Sequence, residues 1–328
     1  MIYLYGMVKG NEGPINVNCS LVKNSNGKIT YPRAKMKWVR AIESIYKIVL
    51  AEAVVISSIW SGVNFVTLLA LLLKKKVFYL KHGDVRYERD LNHFDNMEHA
   101  ISCEDYVMEK CHSIICVSES YMDWCKKRYP EFANKIIYLN NGVDIKIREK
   151  KEKKARSIAV TGGNRPQKNN YEVYRAVDYL NAHTNKKYTL YVFGKLCVTG
   201  IPFLEKDNVI YMGQLEKDKY YNCLDEIQLM VVNSEIESFG LVVADALNTN
   251  CSLLISKNVG AKSIITMSEV DIINDCHNVR EIARKIERLV DKENADTLQK
   301  SININQVSEK HAADRLVEIC QSLQAKMD

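Results

Sequence analysis

The sequence has no apolar run long enough to cross a bilayer. Its longest, Phe65–Leu73 with Thr67 inside it, spans nine residues, against the roughly 20 that a membrane helix needs. The opening MIYLYGMVKG reads as a strand and loop rather than a cleavable leader. The expected location is therefore cytoplasmic, with a peripheral place at the inner face of the membrane as an option. The ten cysteines include no C-x-x-C pair, which argues against a disulfide framework and for reduced core thiols. Cys111, His112 and Cys116 are close in sequence, but the further ligands of a zinc pattern are missing. There is no strict dinucleotide fingerprint, no nucleic-acid motif and no internal repeat.

At 328 residues the chain is long enough for two domains of ordinary size, each with its own core. Its net charge of +6 is unevenly placed. Residues 1–150 hold 22 Lys and Arg against 16 Asp and Glu, whereas residues 151–328 are balanced at 24 each. Much of the excess surrounds Trp38 (Arg33, Lys35, Lys37, Arg40) or lies in Lys74–Lys76. Basic residues interleaved with an aromatic suit an anionic membrane surface or nucleic acid. A solvated helix face is the simpler account of the same residues.

Short apolar runs at Ile2–Tyr5, Ala53–Ser57, Val77–Leu80 and Ser113–Val117 read as strands, with helical patterns between them at 34–50, 63–73 and 95–110. That alternation predicts a parallel, doubly wound α/β sheet. Ligands of such sheets bind beyond the carboxyl ends of the strands, which makes His82 a candidate contact. A lone histidine with a purely structural role is the bland alternative. Asn140–Asp144 (NNGVD) predicts a turn with positive φ at Gly142. Residues 147–156 are charged without an apolar face and predict a hinge between domains at 1–146 and 157–328.

The second half opens with a strand at Ile158–Val160 and the loop TGGNRPQKNN, 161–170. Two glycines let the backbone approach an anion, while Arg165 and Lys168 supply charge suited to a diphosphate. The most informative stretch is 230–247, MVVNSEIESFGLVVADAL. A strand at Leu229–Val232 feeds an acidic loop, with Ser238 as a candidate N-cap and a helix expected from Phe239. A helix N-terminus suits phosphate. Glu237 and Asp245 could flank one cavity and accept hydrogen bonds from the hydroxyls of a ribose or hexose. A surface loop Glu and an unrelated helix Asp would look the same by spacing alone.

ESFGLVVADAL followed by CSLLISKNVGAKSII, with ICVSESY and KIIYLNNGVD upstream, resembles the signature of the retaining family 4 glycosyltransferases of the GT-B fold. The resemblance implies an α/β chain of two Rossmann-like doubly wound domains facing a cleft. The first is acceptor-side, and the second binds a nucleotide sugar and returns its last helix to the first. It implies that Glu237 contacts the donor sugar and that Asp245, in place of the usual Glu, binds the ribose. Lys168, and Arg165 at an unusual three-residue spacing, would hold the diphosphate beside Gly163 and Asn164. Gly213, Gln214 and Leu215 would hold the base. Ser238 and the amides of Phe239, Gly240 and Leu241 would complete the donor site. His82 would touch sugar or acceptor, and Gly13 and Pro14 would lie on the acceptor side. The implied reaction moves a sugar from a nucleotide diphosphate, UDP above all, to a glycan or lipid-linked acceptor with retention. No Asp-x-Asp pair occurs, so no metal and no other cofactor is expected; the cations and the helix end would stabilise the leaving diphosphate. No nucleic-acid partner is expected. Two other functions stay open: a nucleotide-sugar epimerase of the same fold, and a non-catalytic nucleotide-sugar-binding or assembly subunit.

Overall fold

Runs such as Ala53–Ile56 (AVVI) and Ser113–Cys116 (SIIC) are mostly β-branched and buried at every position, the pattern of strands covered on both faces. The computed structural model describes residues 1–8, 13–34, 36–59, 62–196 and 206–322; Lys35, part of the Gly-rich loop (9–12) and the end of the last expected helix lie outside the described residues. The chain divides into two compact units. One is Met1–Asp144 with the chain from Ile304 onward, and the other is Ile145–Asn303.

The first unit holds β1 (Ile2–Tyr5), β2 (Ile29–Thr30), β3 (Ala53–Ile56), β4 (Lys76–Lys81), β5 (Ser113–Cys116) and β6 (Ile136–Tyr138). They pair in the order β2-β1-β3-β4-β5-β6, every pair parallel. The second unit holds β7 (Lys154–Val160), β8 (Thr189–Phe193), β9 (Val209–Gly213), β10 (Ile227–Val232), β11 (Ser252–Ser256) and β12 (Ile272–Ile273). Their order is β12-β11-β10-β7-β8-β9, again all parallel. This is the doubly wound order, with its reversal between β7 and β10. Each unit thus has the Rossmann-like architecture expected from the alternation of strands and helices.

The segment 147–156, expected as a charged hinge, is held by the second unit. Arg148 places its Nε 3.0 Å and an Nη 2.9 Å from the carboxylate of buried Asp225, and its backbone N–H donates to the Asn248 carbonyl. Lys153 caps the Thr249 carbonyl at 2.6 Å, and β7 begins at Lys154, three residues before the expected start of the domain. Charges that look solvated in sequence here answer a buried acid 77 residues away.

The turn at Gly142 also differs from expectation. Its φ is not among the positive ones; the glycine is required by proximity instead. A Cβ there would stand 2.5 Å from the Cα of Glu309, where the final helix Glu309–Ser322 crosses the turn. Val143 N–H donates to the Val307 carbonyl at 2.8 Å, and the same helix packs on the first one, Gly13–Asn24.

Candidate active site

The loops after β7 and β10 leave the second sheet on either side of its strand-order reversal, where the backbone opens a crevice in such sheets. Three loop ends are stitched together there. Gly163 N–H donates to the Phe193 carbonyl and Gly194 N–H to the Gly213 carbonyl, both at 2.8 Å. A Cβ on Gly163 would fall 1.9 Å from the Lys195 carbonyl oxygen, so backbone lies directly on backbone, and its φ is +61°. Asn170 donates to the carbonyls of Thr161 (2.9 Å) and Gly163 (2.7 Å), fixing the shape of the glycine turn. Buried Asn164 belongs to the same turn, while Arg165 stands exposed at its outer end.

Pro166–Lys168 then forms one tight 3-10 turn that aims two side chains at the β10 loop. Gln167 donates to the Ile236 carbonyl at 2.9 Å and accepts, through its own carbonyl, from Glu235 N–H at 2.9 Å. Lys168 lays its stem over Gly162 and ends in an ion pair with Glu237 Oε2, each partner about one-sixth exposed. Ser234 Oγ lies 3.4 Å from the same carboxylate oxygen. The backbone of Glu237 is locked on both sides, accepting from Gly260 N–H and donating to the Asn258 carbonyl. Two of the residues singled out by sequence are therefore brought together, 69 positions apart.

The rest of the motif departs from the sequence reading at its helix start. The helix begins at Val242, with Leu241 rather than Ser238 at its N-cap. Asp245 accordingly lies in the first turn, where a carboxylate meets the positive end of the helix. Phe239 is a core residue, 2 % exposed; its side chain anchors the loop, and only its backbone can face a ligand. Gly240 adopts φ +95°, with Glu237 Cγ and Val259 Cγ1 each 3.1 Å from where a Cβ would stand.

Tyr221, which nothing in the sequence singles out, donates to Asp245 Oδ1 at 2.6 Å. Burial raises the Asp245 carboxyl above its usual range, although the Tyr221 hydroxyl and Lys217 pull the other way. Gly213 closes β9 at φ +67°, followed by exposed Gln214 and half-buried Leu215.

In the first unit, His82 follows β4. Asn18 donates to the Met7 carbonyl at 3.0 Å, which turns its oxygen toward Ser57 Oγ at 2.5 Å. The Ser57 proton goes to that oxygen, so the 2.9 Å contact between His82 Nε2 and Ser57 Oγ is an N–H donating to the hydroxyl. Burial pushes the imidazole down to about 4, so it is neutral at pH 7 and carries its lone pair on Nδ1. Gly13 and Pro14 are exposed and open the first helix. A cavity of about 10 Å³ between that helix and the 139–142 turn has room for one water at most and none for a sugar.

Residues 143–311, just over half of the chain, match the sequence model of the glycosyl transferases group 1 family. The chain belongs to this family. No curated protein matches its sequence. Among solved structures it is similar to Anabaena Alr3699/HepE in complex with UDP and glucose: 10 % identity, TM-score 0.71, covering 98 % of this chain and 99 % of that one. It is also similar to the lipopolysaccharide outer core galactosyltransferase WaaB (12 %, TM-score 0.66, 98 % and 99 %). A third similar structure is Staphylococcus aureus TarM bound to Fondaparinux, α-GlcNAc-glycerol and UDP (15 %, TM-score 0.62, 86 % and 59 %). The fold is GT-B, and this group 1 glycosyltransferase carries the Lys168–Glu237 pair at the reversal point of its second domain.

Proposed function

We propose that this glycosyltransferase is a retaining, family 4 type enzyme that transfers a sugar from a UDP-sugar to a glycan or lipid-linked acceptor. The observation that carries the reading is the Lys168–Glu237 pair, set between two glycine-shaped loops at the strand-order reversal. An ammonium there meets the charge that grows on a departing diphosphate, where preorganised charge contributes most to rate. Arg165, exposed on the same turn, adds a second cation, and Gly163 and Asn164 let the backbone come close. Glu237 accepts hydroxyls of the donor sugar. Asp245 holds the ribose from beside Tyr221, which donates to its Oδ1. Gly213–Leu215 border the base, and neutral His82 offers Nδ1 as a hydroxyl acceptor. With the cations supplying charge and no Asp-x-Asp pair in the sequence, transfer proceeds without a divalent metal. Nucleotide release from UDP-, GDP- and dTDP-sugars, with and without EDTA, tests this. The expected result is slow UDP release from one UDP-sugar, unchanged by EDTA and accelerated by acceptor. Donor binding with no turnover under any condition would support the binding-subunit reading, which the Tyr221-occupied, burial-raised Asp245 favours.

The acceptor is presented at an anionic membrane face. No helix among the described residues is long and apolar enough to cross a membrane, but two adjoining helices of the first unit leave large apolar residues in water. Trp38, Ile42 and Tyr46 on helix Lys37–Leu50, and Phe65, Leu68 and Leu72 on helix Val63–Leu72, are each about half exposed or more. Lys74–Lys76 follow directly, and Lys75 caps the Val49 carbonyl at 2.9 Å. Apolar and aromatic residues beside a cationic rim suit shallow burial among anionic headgroups. Sedimentation with phosphatidylglycerol vesicles should show binding that weakens with salt and falls at least about tenfold in Ile42→Glu/Tyr46→Glu. Equal binding by wild type and variant would dismiss the surface.

A further inference from the structure

The loops after β10 and β12 meet across the end of β11. Asn233, the first residue past β10, donates to the Cys276 carbonyl at 2.8 Å and holds the two loops together. At that junction Glu235, Cys276 and His277 each place one potential ligand atom within 4.8 Å of the others, with Glu235 Oε1 directly against His277 Nε2. Among the described residues they are the one such group of His, Cys and acidic side chains. Sequence spacing hides the cluster, because 40 residues and two strands separate Glu235 from the Cys276–His277 pair.

We propose that Glu235, Cys276 and His277 form a binding site for zinc or a similar thiophilic divalent cation, with a fourth position open to water. The ligand chemistry chooses the ion. Thiolate and imidazole favour zinc or cobalt over magnesium, calcium or manganese, which prefer oxygen. In tetrahedral zinc the donor atoms stand about 3.3–3.6 Å apart, from bond lengths of about 2.0–2.3 Å. The cluster has to close by about an ångström from its widest spacing, and His277, more than half exposed at its edge, is free to swing in. Cys276 is buried at the inner side of the site. On binding, the sulfur–metal bond replaces the S–H bond and the proton leaves to solvent. Thiolate and carboxylate then neutralise the ion, which makes burial at one side of the site tolerable.

The backbone around the cluster is braced for this role. Glu235 N–H donates to Gln167 at 2.9 Å, the Glu235 carbonyl accepts from Asn258 at 2.7 Å, and His277 N–H donates to Asp275 at 3.0 Å. An ion here would staple the β12 loop to the segment that carries Glu237 two residues on. Its role is therefore to stiffen the loop; it does not bridge a diphosphate.

Cobalt titration of the metal-free full-length protein tests the site without any donor sugar, so its outcome is independent of the proposed transfer. The expected result is one equivalent of Co²⁺ bound with a thiolate-to-cobalt charge-transfer band, displaced by Zn²⁺ and indifferent to Mg²⁺. Cys276→Ser should abolish the band. His277→Ala, at an exposed position that leaves folding intact, should weaken binding at least about tenfold and remove the rise in melting temperature that Zn²⁺ gives the wild type. Absence of the band in the wild type, or its survival in Cys276→Ser, would overturn the proposal.

Discussion

Replacing Lys168 by Met should lower kcat/KM for the donor about 10²–10³-fold, with most of the loss in kcat. In the proposed reaction the ammonium meets a leaving group whose negative charge is larger in the transition state than in the bound donor, so its removal should cost more after binding than during it. The magnitude follows from single charge-stabilising groups elsewhere, at about 3–4 kcal/mol. Stability should respond far less, by about 1 kcal/mol, because the Lys168–Glu237 pair is partly hydrated and Glu237 keeps Ser234 nearby. Glu237→Gln should be similarly impaired, and the double variant should lose less than the two single losses multiplied together, since each partner positions the other. Steady-state kinetics alongside urea melts decides the matter. A Lys168→Met enzyme with wild-type kcat would remove the pair from the chemistry.

Lys81→Met should have the largest effect on folding, about 3–5 kcal/mol, a substantial share of an ordinary stability margin. Lys81 is fully buried, with Nζ 2.6 Å from Glu104 and 3.2 Å from Asp84, themselves 2 % exposed. Tyr79 adds a bond to Glu104, and Tyr129 and the Tyr87 N–H add bonds to Asp84, all at 2.6–2.8 Å. Losing the ammonium leaves two carboxylates inside the protein without their main counter-charge. Removing both sides, as in Lys81→Met/Glu104→Leu, should be milder than Lys81→Met alone, because less uncompensated charge stays buried.

The pH dependence follows with a definite sign. Burial by itself would raise the Asp84 carboxyl, but Lys81, the Tyr129 hydroxyl and the Tyr87 N–H outweigh it and hold the carboxyl below its usual range. A depressed acid contributes stability above its unfolded value of about 3.9, and that contribution is lost as pH falls through the lower folded value. In Lys81→Met the depression is weaker, so the deficit against wild type should stay constant down to the unfolded value of about 3.9 and shrink only as pH falls below it. Urea melts at several pH values measure it. A deficit that stays constant below that value as well would mean the cost is one of packing and not of charge.

His82 sits directly after this buried ion cluster, and it was legible as a candidate while its partners were not. The strand ending at Lys81 could be read from its apolar run, and the carboxyl end of such a strand is where ligands gather. Asn18 and Ser57, which set the tautomer of the ring, come from other elements and carry no sequence signal toward it. The same holds for Tyr221 beside Asp245 and Gln167 beside Ile236.

Local sequence determined what depends on neighbours in the chain. The β-branched runs and intervening helical patterns specify parallel α/β units, the glycines of TGGNRPQKNN specify a turn that only glycine fits, and ESFGLVVADAL marks the loop with Glu237. Helix starts were less legible. Ser238 has the chemistry of an N-cap, yet burial of Phe239 in the core carries the chain three residues further before helix begins. Only the tertiary structure decided which charges meet. It tied Arg148 of the supposed hinge to Asp225, laid Glu309 against Gly142, set Lys168 on Glu237 and gathered Glu235 with Cys276 and His277. The reason is physical: hydrophobic periodicity is written residue by residue, whereas a buried charge is stabilised by whichever partner the sheet order brings beside it, and strand order is not encoded in any one segment.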